Sequence, residues 1–411
     1  MTKRKSFISF LITCCLMLSS LFVFTACGED EPHKHEFSSA WSSNALYHWH
    51  ASTCGHSDEV SDKARHDAGS WRTDDNQHWL VCSTCGYELS ERENHTYENF
   101  VCECGKTSED AAVRLITQNG QIEYFGGLTQ EVINAAEEDS NFLLLKDLTI
   151  TKALSVDKNI SIDFNGHTVT AYNETDNQKL MAGGFDIAYN TPGARLSLYN
   201  GTLITQKWGA WIQNGGYLLV GIDFTIHANT ALLTNANAVT VVEQGSQVDI
   251  EGTVEVEGDT FCVSGNGSVG KGGITINVND GARVIGGTAG IYMPNEGYLN
   301  IGAATVSGQT AVYIKAGVTN INGATLIANG KQAEYVCRTN GANSTGDAII
   351  LDSMGYPGGQ PPKLTIVSAE ITSENGVAIA IYKVNDNEYE FSNETSYEPK
   401  IEVLVNVTPV E

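Results

Sequence analysis

Asn159-Ile160-Ser161-Ile162-Asp163-Phe164-Asn165-Gly166-His167-Thr168-Val169-Thr170 decides the fold. Apolar residues fall at Ile160, Ile162 and Phe164, and alternation resumes at Val169 after the Asn-Gly pair. Period-two alternation buries one face of a strand. Asn-Gly accepts positive φ at little steric cost, so it makes a corner. The stretch reads as strand, corner, strand.

Working outward, the unit recurs at residues 196–204, at 218–226, at 239–250 with a turn at Gly245, and at 274–285 with a turn at Asp280-Gly281. The clearest pair is Ala289-Gly290-Ile291-Tyr292 leading to residues 298–306, echoed by Ala311-Val312-Tyr313-Ile314 leading to residues 318–326. These two are about 21 residues apart, a period that marks a repeat architecture. Before the units, residues 112–117 and 121–125 read as short strands. Residues 129–136 read as a helix with Thr129 as N-cap, Glu131 in the first turn, and Val132, Ile133 and Ala136 on one face. A stacked array must cover the open end of its core, and this helix falls where that cap is needed. Residues 353–362 and 386–399 read as loops, and residues 401–407 as a last strand. The expected fold class is all-β, a β-solenoid over residues 112–411 with a short N-terminal cap helix.

This pattern resembles the right-handed parallel β-helix of the pectin-lyase-like superfamily. That superfamily holds lyases and hydrolases, so the resemblance raises the question of chemistry. A lyase would need a calcium-held carboxylate cluster and a base. Asp249, Glu251, Glu255, Glu257 and Asp259 form a dense acidic run, and alternate members share a face, which could hold calcium. A solvated outer face accounts for the same run. Lys315 and Arg338 stand as isolated bases, and His167 and His227 as isolated histidines. Exposed aromatics are the better lead: Trp208 and Trp211 lie three apart near a corner, and Tyr292 and Tyr313 occupy equivalent places in adjacent units. Packing in a ladder is the competing reading.

The chain has 411 residues, a net charge of −25 and only 18% charged residues. A nucleic-acid partner is excluded, because phosphate binding needs a basic footprint. At the start, Lys3, Arg4 and Lys5 precede an almost wholly apolar stretch, residues 6–24, and then Phe24-Thr25-Ala26-Cys27. A basic start, an apolar core and small residues at the end make a secretory signal; an uncleaved membrane helix is the alternative. The Thr-Ala-Cys ending resembles the lipobox of bacterial lipoproteins, with Phe24 where Leu is usual. The resemblance implies a signal peptide at 1–26, a diacylglyceryl group on Cys27, and a membrane anchor at the bacterial cell envelope. Residues 27–40 read as a tether.

Eight of the ten histidines lie between His33 and His95. A pattern repeats over residues 41–106. Trp41, His48-Trp49-His50, Cys54-Gly55-His56 and His66 are followed by Trp71, His78-Trp79, Cys82-Ser83-Thr84-Cys85-Gly86 and His95. A truncated third copy holds Cys102-Glu103-Cys104-Gly105. Tetrahedral zinc takes four thiolate or imidazole ligands, and Cys-x2-Cys sets two thiolates on one turn. Cys82, Cys85, Cys102 and Cys104 have zinc-ribbon spacing. Beside Cys54, His50 or His56 can substitute for the missing cysteine, with His48 or His66 completing the set. His78 and His95 are the matching donors of the second copy. Disulfides compete as a reading, but five clustered cysteines is an odd count and the histidines give disulfides no help. So short a segment cannot build a large apolar core, and a metal would supply folding energy. The region resembles small Trp/His/Cys repeats that precede β-rich domains in bacterial surface lipoproteins. Cys262 and Cys337 read as buried apolar filler.

Three functions fit: a non-catalytic, surface-exposed lipoprotein binding a polysaccharide or a host or cell-surface partner; a calcium-dependent polysaccharide lyase or other carbohydrate-active enzyme; or a structural stalk or metal-handling protein.

Overall fold

The computed structural model describes residues 33–172, 183–229, 236–336, 341–352, 362–384, 390–393 and 401–407. Cys27, Cys337, Arg338 and residues 353–361 of the expected loop at 353–362 lie outside them. The chain divides into two units, Met1–His95 and Thr96–Glu411.

The first unit is two small antiparallel sheets. One holds β1 (Phe37–Ser43), β2 (Tyr47–Ser52) and β3 (Val60–Arg65); the other holds β4 (Gly69–Thr73), β5 (Gln77–Cys82) and β6 (Glu93–Asn94). The same turn opens both. The N–H groups of Leu46 and Tyr47 donate to Asn44 Oδ1, both at 2.9 Å, and those of Asn76 and Gln77 donate to Asp74 Oδ1 at 2.9 and 2.8 Å. Such Asx turns suit Asn and Asp because their short side chains reach the backbone two and three residues on. Each turn sets a Trp at the same place on the preceding strand. Among the described residues of this unit the buried apolar side chains are Trp79, Val81 and Cys82.

The second unit is all-β apart from α1 (Gln130–Ala135), with large parallel sheets. Val113–Ile116 pairs antiparallel with both Ile122–Phe125 and Ser140–Leu144. Thr129 caps α1, its Oγ1 accepting from Val132 N–H at 3.4 Å, and Val132, Ile133 and Ala136 are buried. The sequence places this cap correctly.

Among the described residues every later strand pairing is parallel. Phe142, Ile162, Leu198, Val220, Ile250, Val278, Ile301, Ile321 and Ile366 stand in one continuous register row, all buried. The opening stretch forms Ile160–Asp163 and Thr168–Ala171, with its corner at Asn165 (φ 52°) and Gly166 (φ 81°). A second parallel sheet of ten strands runs from Leu154–Val156 to Ile401–Val407. Its outward row reads Ser155, Asp186, Trp211 and Thr240.

Outward positions elsewhere are joined by side-chain bonds. Asn320 Nδ2 donates to Asn300 Oδ1 (3.0 Å), Asn300 Nδ2 to Asn277 Oδ1 (2.9 Å) and Asn277 Nδ2 to Asp249 Oδ1 (2.6 Å). Two sequence readings need correction. Within the expected loop at 386–399, Glu390–Asn393 is a strand pairing parallel with Lys363–Ser373. The spacing is also less regular than 21: Leu299 pairs with Thr319, but Thr319 pairs with Leu364, because a long excursion is inserted between the two strands.

Candidate metal centres

Among the described residues of the first unit two sets of four donor atoms converge, the atoms of each set lying within 4.8 Å of one another. One is His48, His66, Cys82 and Cys85. The other is His33, His35, Cys54 and His56.

In the first set, His48 Nδ1 is 3.7 Å from Cys82 Sγ and His66 Nδ1 is 3.4 Å from Cys85 Sγ. A tetrahedral zinc with ordinary bond lengths separates a sulfur and a nitrogen ligand by about 3.5 Å. β2 supplies His48, β5 supplies Cys82, and the knuckle after β5 supplies Cys85. The knuckle closes with Gly86 N–H donating to Cys82 O at 2.8 Å and Gly86 at φ 76°, a backbone state glycine adopts freely. His66 Nε2 sits 2.7 Å from Asn44 O. A carbonyl accepts only N–H, so this contact assigns the proton to Nε2 and turns the Nδ1 lone pair toward Cys85. The ring of His66 also stacks on Tyr87, centroids 4.7 Å apart. Trp41 meets His48 edge-on at 4.7 Å.

Asp67 adds charge to this set. Cys82 Sγ donates to its Oδ1 at 2.8 Å and Thr84 Oγ1 to its Oδ2 at 2.6 Å. These two bonds hold the Asp67 carboxyl at about 2. Burial and Asp67 push the Cys82 thiol up, but backbone N–H from Cys85 and the His66 imidazole outweigh them and its pKa falls. Burial raises Cys85. His66 is raised, chiefly by the Asn44 carbonyl and then by Cys82.

In the second set, His35 Nδ1 is 3.3 Å and His56 Nδ1 is 3.5 Å from Cys54 Sγ. The His33 ring lies 4.9 Å from both the His35 and His56 rings. Ser52 Oγ is 2.8 Å from the sulfur. That hydroxyl, then the imidazoles of His33 and His56, lower the Cys54 thiol to about 4.

None of the described cysteines forms a disulfide. Cys82 and Cys85 take histidines as partners, so the four-cysteine ribbon read from spacing is not the set they belong to. Cys-x2-Cys occupies one edge of a site, and the facing edge comes from the preceding repeat. Of the donors expected beside Cys54, His56 joins it, whereas His48 and His66 go to Cys82 and Cys85. His50 does neither: it pairs across strands with Trp41 and stacks on its ring at 3.9 Å. His33 and His35 were missed because they precede the first Trp of the repeat frame. The signal was there, since His33-x-His35 has the spacing of Cys54-x-His56.

His78 and His95 are presented as His48 and His66 are. Trp71 meets His78 at 4.8 Å, and His95 Nε2 lies 3.1 Å from the carbonyl of Asp74, the residue equivalent to Asn44. Cys102 and Cys104 belong to the second unit, where Gly105 N–H donates to Cys102 O at 2.8 Å in a tight turn.

The other candidates divide. Tyr292 and Tyr313 stand in register, but they are buried in a small secondary core with Ile350, Val377 and Tyr382, and cannot serve as a ligand platform. Tyr335 packs against that core, stacked on Tyr382 at 3.8 Å. Lys315 is not isolated: it is fully buried 3.5 Å from Asp352 Oδ2, which also accepts from Tyr313 OH at 2.9 Å. Cys262 is buried. Trp208 and Trp211 remain partly exposed, centroids 6.2 Å apart, with Lys207 Nζ 3.8 Å from the Trp208 ring and Asp186 in register with Trp211. Four residues of the acidic run, Asp249, Glu255, Glu257 and Asp259, are occupied by neighbours. Tyr217 OH, Gln247 and Asn277 donate to Asp249, Glu255 lies 2.7 Å from His227 Nδ1, Asn229 donates to Glu257, and Gln309 donates to Asp259.

No family model matches the chain, and neither the curated proteins nor the solved structures compared with it give a match.

Proposed function

We propose that this chain is a bacterial surface lipoprotein, anchored through acylated Cys27. Zinc-stabilised repeats then carry a non-catalytic right-handed parallel β-helix of the pectin-lyase-like kind. The observation that carries the zinc reading is the pair of four-donor sets, with sulfur–nitrogen separations near those of a tetrahedral centre. Thiolate with imidazole suits zinc over hard cations, and four protein donors fill the tetrahedral positions, as in a structural site. The unbroken register row from Phe142 to Ile366 supports the solenoid. Because the acidic run is engaged by neutral donors and His227, it supports a polar outer ladder better than a calcium-dependent lyase. Binding of a glycan or protein partner along the rod, with Trp208 and Trp211 as contacts, is the role we assign to it. Aromatic faces beside polar groups suit sugars.

Metal content and free thiols of the purified full chain in detergent test the core of this reading. Zinc should be present, and Cys82→Ser should lower it by one equivalent. Absence of zinc with the clustered cysteines oxidised would overturn it. Trp208→Ala and Trp211→Ala, screened against a polysaccharide array, test the binding role.

A further inference from the structure

The two donor sets are built differently. In the His33, His35, Cys54, His56 set, His33 and His56 are exposed and the other two half-buried; in the other set, His48 and Cys82 are buried. The exposed set has one thiolate where the buried set has two. Two of its donors, His33 and His35, precede β1 on a segment outside any strand. That segment is joined to the turn at Cys54 by Glu36 O, which accepts from Thr53 N–H at 2.8 Å and Thr53 Oγ1 at 3.1 Å. In the buried set His48 is on β2, Cys82 ends β5 and Cys85 sits in a closed knuckle, while His66, in the link after Val60–Arg65, is held by its Nε2 contact with Asn44 O at 2.7 Å and by its stack on Tyr87. Metal leaves a tetrahedral site when an incoming ligand can reach it and a donor can depart. Exposure provides the first and a strand-free segment the second.

We propose that His33, His35, Cys54 and His56 form an exchangeable zinc latch. Zinc taken from solution fastens residues 33–36 to the turn at Cys54, and its loss releases them while the metal at Cys82 and Cys85 stays. This rests on reading the histidine–cysteine sets as zinc sites. The latch acts on the stretch of the described chain nearest Cys27, so it couples zinc outside the membrane to the attachment of the first strand.

Lys34, exposed between two donors, is a built-in reporter. The full chain in detergent is loaded with zinc chloride, freed of excess metal, and treated with trypsin at rising chelator. Mass spectrometry follows cleavage after Lys34 and after Arg72. Chelator should speed cleavage after Lys34 roughly tenfold before Arg72 responds or the last zinc leaves. Added zinc chloride should restore protection, and Cys54→Ser, remote in sequence from the cut bond, should cleave fast even with zinc. Zinc-independent cleavage after Lys34 with metal still bound overturns the latch but not the site at Cys82. Simultaneous opening at Lys34 and Arg72 overturns selective exchange. A chain that retains no zinc overturns the latch and the zinc reading together.

Discussion

Stripping the metal from the intact chain should unfold β5 while leaving its covalent structure untouched. Among the described residues of the first unit three apolar side chains are buried, Trp79, Val81 and Cys82. Burial contributes about 2 to 3 kcal/mol for a large apolar side chain. A structural zinc of the proposed kind contributes on the order of 10 to 16 kcal/mol, which would outweigh that core. Removing one ligand in four by Cys82→Ser forfeits about a quarter of the lower figure, roughly 2.5 kcal/mol, or ~70-fold in the opening equilibrium. Peptide-resolved hydrogen exchange reads this directly. In the zinc-loaded chain, Gln77–Cys82 amides should be protected. Cys82→Ser should exchange ~70-fold faster there, and the fully stripped chain should approach the unprotected rate. Protection at Gln77–Cys82 that survives complete removal of zinc would refute the reasoning.

Other outcomes follow from the second unit. Thr319 is fully buried between Leu299 and Leu364 in register, and its Oγ1 has no hydrogen-bond partner among the described residues. Thr319→Val should therefore raise stability by about 1 kcal/mol in thermal or denaturant unfolding. Asn300→Leu removes two ladder bonds and Asn320→Leu one, so the first should cost about twice the second, near 2 and 1 kcal/mol in the same assay. Lys315→Met strands a buried carboxylate and should cost about 3 to 5 kcal/mol. Adding Asp352→Asn, which still accepts from Tyr313, should recover most of it.

The strands and corners were legible because alternation and Asn-Gly act locally. Ile160, Ile162, Asn165 and Gly166 each carry their structural instruction within a few residues, and the Thr129 cap does the same. What was hidden depends on tertiary placement. Tyr292 and Tyr313 looked available because the sequence does not reveal that the excursion carrying Tyr335 packs over the outward row. Lys315 looked isolated because Asp352 reaches it only through strand register. Within the repeats, the residue types were readable but the grouping was not. Proximity in sequence suggested that Cys54 shares ligands with His48, whereas β2 presents His48 toward Cys82.

That grouping bears on how such an array can change. The middle repeat receives its predecessor's histidines, His48 and His66, on Cys82 and Cys85, while the first copy receives His33 and His35 on Cys54 and His56. The first copy therefore offers one half-site in each direction, much as a bead carries a hook and an eye. A copy inserted between the first and the middle one would receive His48 and His66 on its own donors and hand its histidines to Cys82 and Cys85. Only the terminal half needs its own solution, and His33-x-His35, two histidines without a repeat of their own, is the form it takes at the beginning.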